Sequence, residues 1–231
     1  MATVKGAITQ RDGNTYAIVT RSPAGIVTAE HLEVIAGIAR KYRIPTIKIT
    51  SGQRLALIGI GPGDVVKIRR ELGDSAEQAE GPCVKYVQAC LGIETCQYGV
   101  QDSIGLAGLV EKKFRNRTFP AKVKIGVSGC PRCCGESHIR DIGLMATRKG
   151  WTVLFGGNGG TRPRFGDVVA KNLADGDAVD LVERLLGYYQ TEARPHERTA
   201  RFMERIGTET LRSDLLRFIP YIPLDELKPG A

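Results

Sequence analysis

Alternating and helically spaced apolar residues divide the chain into short segments. Residues 14–20, NTYAIVT, read as a strand, and the turn RSPAG follows. From Thr28, whose hydroxyl suits a helix N-cap, Leu32, Ile35, Ile38 and Tyr42 recur on one helical face. After RIP, the stretches TIKIT (46–50) and RLALIGI (54–60) read as two strands around Ser51-Gly52. Strand, helix, strand, strand predicts a small α+β unit of roughly 70 residues. Residues 64–80 read as helical, and Gly81-Pro82 punctuates the chain.

In the second part, residues 97–116 predict a helix with Val100, Ile104, Leu106 and Leu109 as its apolar positions. KVKIGVS (122–128) predicts a strand running straight into the cysteine-rich stretch GVSGCPRCCGES. WTVLFGG (151–157) predicts another strand, opening into the loop GGNGGTRPR. Asp177 is placed to cap a helix bearing Val179, Val182, Leu185, Leu186 and Tyr189, and a second, basic helix covers 196–217. No internal repeat or low-complexity tract is visible.

Composition narrows the function classes. At 231 residues with 42% hydrophobic and 25% charged content, the chain suits one large or two small globular domains. No run approaches the roughly 18 apolar residues of a membrane helix, and MATVKGAITQRDG lacks a signal-peptide core. The expected compartment is the cytoplasm, without a membrane partner. There, six cysteines fit free, catalytic or metal-bound roles better than disulfides. A net charge of +8 first suggests nucleic acid. However, the basic residues are dispersed, aromatics are only 6%, and no nucleic-acid motif is present, so no nucleic-acid partner is expected. An acidic protein or a polyanionic small ligand fits the charge as well. GIGPGD (59–64) lacks both the spacing and the later acid of a dinucleotide fingerprint.

Every cysteine lies beyond residue 81. Two pairs stand out, Cys90-x5-Cys96 and Cys130-x3-Cys134. Buried cysteine as a small hydrophobe explains one or two positions but not three crowded beside Pro131 and Gly135. Structural zinc favours shorter spacings within each half, so x5 fits it poorly. An iron–sulfur cluster takes four thiolates from loops, which two separated pairs supply. On spacing alone cluster, zinc and no metal all stay open, with Cys83 and Cys133 surplus to four ligands.

ACLGIETC followed by GVSGCPRCCGES resembles the paired cysteine signature of sulfite and nitrite reductases that couple siroheme to a [4Fe–4S] cluster. CQYGVQDSIGLAGLVEKKF, ATRKGWTVLFGGNGGTRPRFGDVVA and ITSGQRLALIG are similar to the siroheme module of the large assimilatory nitrite reductase subunit. The likeness runs from about residue 14 to 215.

The resemblance implies an α+β fold: a ferredoxin-like half-domain over residues 1–75, then a siroheme and [4Fe–4S] domain over 76–231. It implies a six-electron reductase of sulfite, or alternatively of nitrite. A non-catalytic electron-transfer protein with the same groups is the rival of another class. By the same likeness, Cys90, Cys96, Cys130 and Cys134 ligate the cluster, and Cys134 also bridges to the siroheme iron. Siroheme carboxylates want cations and close backbone approach, offered here by Gln53, Arg54, Asn158, Arg162 and Arg164. FPAKVKIGV is similar to the family's Lys-x-Lys strand. It nominates Lys122 and Lys124, which share a strand face, as substrate residues, with Lys85 where the family usually has Arg. A further family arginine falls near Val19 here, with Arg21 close by. Electrons are expected from a separate donor, a small acidic ferredoxin attracted by basic surface. Because larger relatives fuse two such units, the likeness also implies a homo-oligomer built on a twofold dimer, with Lys122 and Lys124 of one protomer reaching the partner's siroheme; the competing geometry keeps both in one chain, since the strand runs directly into Cys130.

Overall fold

The computed structural model describes residues 6–77, 81–115 and 117–217, with backbone alone at 216 and 217. Contacts sort the chain into two units that divide between residues 80 and 81. The first contains β1 (Ile8–Thr9), β2 (Tyr16–Val19), α1 (Ala29–Lys41), β3 (Thr46–Ile49), β4 (Leu55–Ile60) and α2 (Val65–Leu72). Its strands form an antiparallel sheet in the order β1-β2-β4-β3. Tyr16, Ile18, Leu57 and Ile60 from the sheet bury against Ile35 and Ile38 of α1 and Val65, Ile68 and Leu72 of α2. The crossover β2-α1-β3 leaves a gap that β4 fills, the split βαβ arrangement.

Thr28 caps α1, its hydroxyl accepting the His31 N–H at 3.2 Å. Leu32, expected on the buried face, is exposed because α1 packs on the sheet only from Ile35 onward, through Ile38 and the half-buried Tyr42. The helix expected over 64–80 is shorter. Gly73, at φ 53°, ends α2, and after a 3-10 turn at Gly73–Ser75 the chain pairs Ala76 with Thr20 as a bridge. Residues 78–80 of that expectation, and residue 116 of the next helix, lie outside the described residues.

The second unit contains β5 (Val84–Ala89), α3 (Ser103–Phe114), β6 (Val123–Ser128), β7 (Ile142–Thr147), β8 (Gly150–Phe155), β9 (Asp167–Leu173), α4 (Asp175–Glu192), α5 (Thr199–Ile206) and α6 (Thr208–Arg217). Its sheet runs β5-β6-β7-β8-β9 in spatial order, parallel across the first three strands and antiparallel across the rest. α3 starts at Ser103 rather than at 97, because the Asp102 carboxylate accepts the Gly105 N–H at 2.9 Å and fixes the N-terminus there. Its buried face is Leu106, Ala107, Val110 and Phe114; Val100 stays in the preceding loop and Leu109 is exposed. α4 begins two residues ahead of Asp177, where the Trp151 indole donates to Asp175 at 2.7 Å. The basic helix expected over 196–217 breaks at Gly207, whose φ of 77° a helix cannot continue through. Phe155, Tyr189 and Phe202 meet edge to face at 5.4–6.3 Å and join α4 and α5 to the sheet. Among the described residues no helix is long and apolar enough to cross a membrane.

Candidate functional site

β5 and β6 are parallel neighbours, with Ala89 opposite Val127. The loops leaving their C-terminal ends therefore rise from one edge of the sheet, where open α/β sheets present their ligand sites. Cys90 follows β5 directly, and Gly129-Cys130 follow β6. The first loop folds back on itself: Cys96 N–H donates to Gly92 C=O at 2.9 Å and Ile93 N–H to Gln101 C=O at 3.0 Å. It is tied to the second by Val100 N–H donating to Gly129 C=O at 2.8 Å. A Cβ on Gly129 would stand 2.7 Å from the Gly92 Cα, so the two loops touch backbone to backbone. On the outside, the Arg132 guanidinium sits 3.7 Å from the centre of the Tyr98 ring, a cation–π contact between the loops.

The second loop is held by buried side chains. Ser137 Oγ lies 3.0 Å from Gly126 C=O and 2.9 Å from Leu144 C=O, which engages its single proton. The Ser128 hydroxyl, 2.7 Å away, must then donate to it, leaving its own oxygen to accept the Gly135 N–H at 3.0 Å. A Cβ on Gly135 would lie 2.2 Å from Val127 C=O, which requires glycine there. Cys133 and Glu136 hold left-handed φ values of 60° and 56°, strain concentrated on either side of Cys134 and Gly135.

None of the six thiols is in a disulfide. Cys83 and Cys130 are buried, Cys134 is exposed, and Cys90, Cys96 and Cys133 are half-buried. Among the described residues, no three His, Cys, Asp or Glu side chains are grouped closely enough to hold an ion; the loops are brought together rather than four sulfurs. Cys90 Sγ accepts the Gly129 N–H at 3.1 Å, and Cys133 Sγ the His138 N–H at 3.4 Å. Four soft thiols on touching loops, one already receiving a backbone N–H, form a donor set that fits an iron–sulfur group. Cys83 sits before β5, at the other end of the strand from Cys90, and its Sγ lies 3.6 Å from Gly81 C=O.

A basic floor adjoins the loops. In the β5–β6 ladder Val84 pairs with Val123 and Tyr86 with Lys124, so Lys85 is the extra residue of a bulge. The Lys124 ammonium lies 5.8 Å and the Arg140 guanidinium 5.5 Å from the centre of the Tyr86 ring. Arg140 is ion-paired with Glu136, and Gln88 Nε2 donates to Gly135 C=O at 2.9 Å. Burial pushes the Lys124 ammonium below the ordinary lysine range; Arg140, Lys122 and Arg198 add repulsion and Asp141 partly opposes it. Lys122, just ahead of β6, is exposed. Asp141, 1% exposed, accepts the Lys124 backbone N–H at 2.9 Å and Arg198 Nη2 at 2.7 Å.

The remaining sequence-nominated residues are placed differently from one another. Asn158 and Arg164 close their loop: their backbones pair reciprocally at 2.8 and 2.9 Å, and Asn158 Nδ2 donates to Arg162 C=O at 2.8 Å. The Arg164 side chain binds Gly156 C=O at 3.0 Å and the Asp167 carboxylate. Arg162 is 71% exposed, 3.6 Å from Glu204. In the first unit, Arg54 pairs with Glu77 at 3.1 Å, and Gln53, left-handed at φ 57°, lays its side chain against Gly25. Tyr86, Arg140, Glu136 and the Ser128–Ser137 pair escape sequence reasoning. The one available signal was that Tyr86 and Gln88 alternate in step with Lys124 and Gly126 on the neighbouring strand.

Comparison with known proteins covers most of the chain. The family description "Nitrite and sulphite reductase 4Fe-4S domain" matches residues 80–218, and "Nitrite/Sulfite reductase ferredoxin-like half domain" matches residues 8–75. An assimilatory-type sulfite reductase of Nitratidesulfovibrio vulgaris is 46% identical over 92% of this chain and 97% of its own length. The NAD(P)H nitrite reductase of Bacillus subtilis is 39% identical over 89% of this chain, which spans only 26% of that protein. A crystal structure of dissimilatory sulfite reductase I shares the fold with a TM-score of 0.78, at 15% identity, over 94% of this chain and 72% of that one.

Proposed function

Since the chain belongs to the nitrite and sulphite reductase family of siroheme and [4Fe–4S] oxidoreductases, we propose that it reduces sulfite to sulfide. The observation that carries the choice of sulfite is the match to a sulfite reductase along 97% of that protein's length. Nitrite is the second reading, supported by 39% identity to a nitrite reductase of which this chain spans 26%. Sulfite takes up six electrons and seven protons to give hydrosulfide and three waters.

Cys90, Cys96, Cys130 and Cys134 would hold the cluster, with the exposed Cys134 thiol also reaching the siroheme iron. When bound, siroheme supplies the iron at which the oxyanion is reduced by electrons from the cluster. The Gly129 N–H on Cys90 Sγ stabilises a thiolate and favours the reduced state of whatever it ligates. Lys122 and Lys124 would hold the substrate oxygens and deliver protons. Burial lowers the affinity of Lys124 for its proton, which suits it to proton donation. Lys85, on its bulge, would aim a third cation. Arg162, with Asn158 and Arg164 shaping its loop, would meet siroheme carboxylates.

Electrons would come from an acidic ferredoxin, and a cytoplasmic site suits six unbridged thiols. Twofold association would cover the exposed edge of β3, where Ile49 is 74% exposed; light scattering that finds monomers throughout would end that part of the proposal. The function itself is tested with reduced methyl viologen as donor: kcat/KM for sulfite should exceed that for nitrite, and the reverse order would reassign the substrate.

A further inference from the structure

Single exposed apolar side chains are ordinary, but three crowd the first cysteine loop. Leu91 is 59%, Ile93 49% and Tyr98 47% exposed, two of them between Cys90 and Cys96. The β7–β8 turn stands beside them, because Gln101 Nε2 donates to Thr147 C=O at 3.2 Å. That turn exposes Arg148 and Lys149. Arg132, exposed over the Tyr98 ring, adds a third cation, against two exposed carboxylates in the loop, Glu94 and the helix-capping Asp102. An apolar centre within a basic rim therefore lies directly on the thiols.

We propose that Leu91, Ile93, Tyr98, Arg132, Arg148 and Lys149 form the docking surface for a small acidic electron-carrier protein. This rests on the reductase reading above and adds where the electrons come in. An apolar patch with a charged rim is the anatomy of a transient interface, and redox encounters use small ones. The rim cations complement an acidic partner, and the chain's net charge of +8 steers it inward. Docked here, the carrier lies against the loop whose two thiols would hold the cluster. In each encounter the carrier loses one electron and the cluster gains it. Six encounters serve one sulfite, and protons arrive separately through the lysines.

The test uses the holoenzyme and two variants, Arg148→Glu/Lys149→Glu and Ile93→Asp. Turnover is measured with a reduced acidic 2[4Fe–4S] ferredoxin and, separately, with reduced methyl viologen. Ferredoxin binding is measured by calorimetry without substrate. Both variants should lose about tenfold in ferredoxin-driven kcat/KM and in ferredoxin affinity, with the viologen rate and visible spectrum retained. The double variant should also flatten the salt dependence of the ferredoxin rate. Unchanged ferredoxin affinity in both variants overturns the docking surface, as does an equal loss with both donors at full cofactor content. If the wild type turns over no sulfite with viologen, the reductase reading fails. The docking surface then stands or falls on the calorimetry alone.

Discussion

The two cysteine loops sit side by side and are built in opposite ways. The first, residues 90–102, is a mesh of main-chain hydrogen bonds with apolar tips left in solvent. The second, residues 129–140, is pinned from beneath by buried side chains, Ser128, Ser137 and Gln88, and carries its strain at Cys133 and Glu136. A main-chain mesh tolerates side-chain change, so its outer surface is free to serve a partner. A side-chain anchor fixes one geometry, which suits the loop whose Cys134 would join two metal groups. The contrast separates an adaptable outer loop from a rigid inner one.

The strongest attack on this comparison is at the thiols themselves. Cys90→Ser, Cys96→Ser and Cys130→Ser should each abolish the cluster's visible absorption, whereas Cys133→Ser should retain it; complete iron loss in Cys133→Ser would mean the ligand set is wrongly drawn. Next come the glycines. Gly135→Ala drives a methyl into Val127 C=O within the rigid loop and should cost about 3 kcal/mol in denaturant unfolding. Substituting the exposed Leu91 by Ala should cost less than about 0.5 kcal/mol.

Smaller still is the serine contrast. Ser137→Ala orphans a buried hydroxyl and two carbonyls and should cost about 2 kcal/mol. Ser103→Ala in the first loop's support, losing a bond to Cys90 C=O and a weak 3.5 Å contact with Cys90 Sγ, should cost about 1 kcal/mol. Equal costs would erase the distinction between the loops. The smallest effect concerns Lys124. Arg140 repels its proton, so Arg140→Gln should move the alkaline limb of sulfite turnover to higher pH, and Arg140→Lys should leave it in place. A limb unmoved by Arg140→Gln would remove Lys124 from proton delivery.

How much of this was legible follows from what each residue depends on. The antiparallel unit could be read because Tyr16, Ile18, Ile35, Ile38 and Leu57 obey local periods. The cysteine pairs were legible because spacing and a family likeness both act through short stretches of chain. β5, β7 and β9 were missed: VKYVQA is interrupted by Lys85 at a bulge, and IGLMAT and DVVAKNL carry Gly143 and polar positions that blur the alternation. The start of α3 was misjudged because apolar spacing continues back to Val100, while the deciding contact is a single carboxylate, Asp102. The contact of Tyr86 with Arg140 could not be found from sequence, since the two lie 54 positions apart and only the folded sheet and its loop bring them together. Asn158 and Arg164 share one loop with Arg162, yet their side chains bind that loop itself, a division of labour that composition does not reveal.

Asp141 gives the rigid loop a timetable. Its carboxylate, behind Lys124, is neutralised by Arg198, 57 residues further along the chain. At about 5–20 residues per second of synthesis, all four thiols are made several seconds before their rear support arrives. In that interval Asp141 lacks its two-nitrogen Arg198 partner, and a carboxylate without such a partner favours water over burial. The ion pair behind Lys124 therefore completes the second unit only after all four thiols are in the chain.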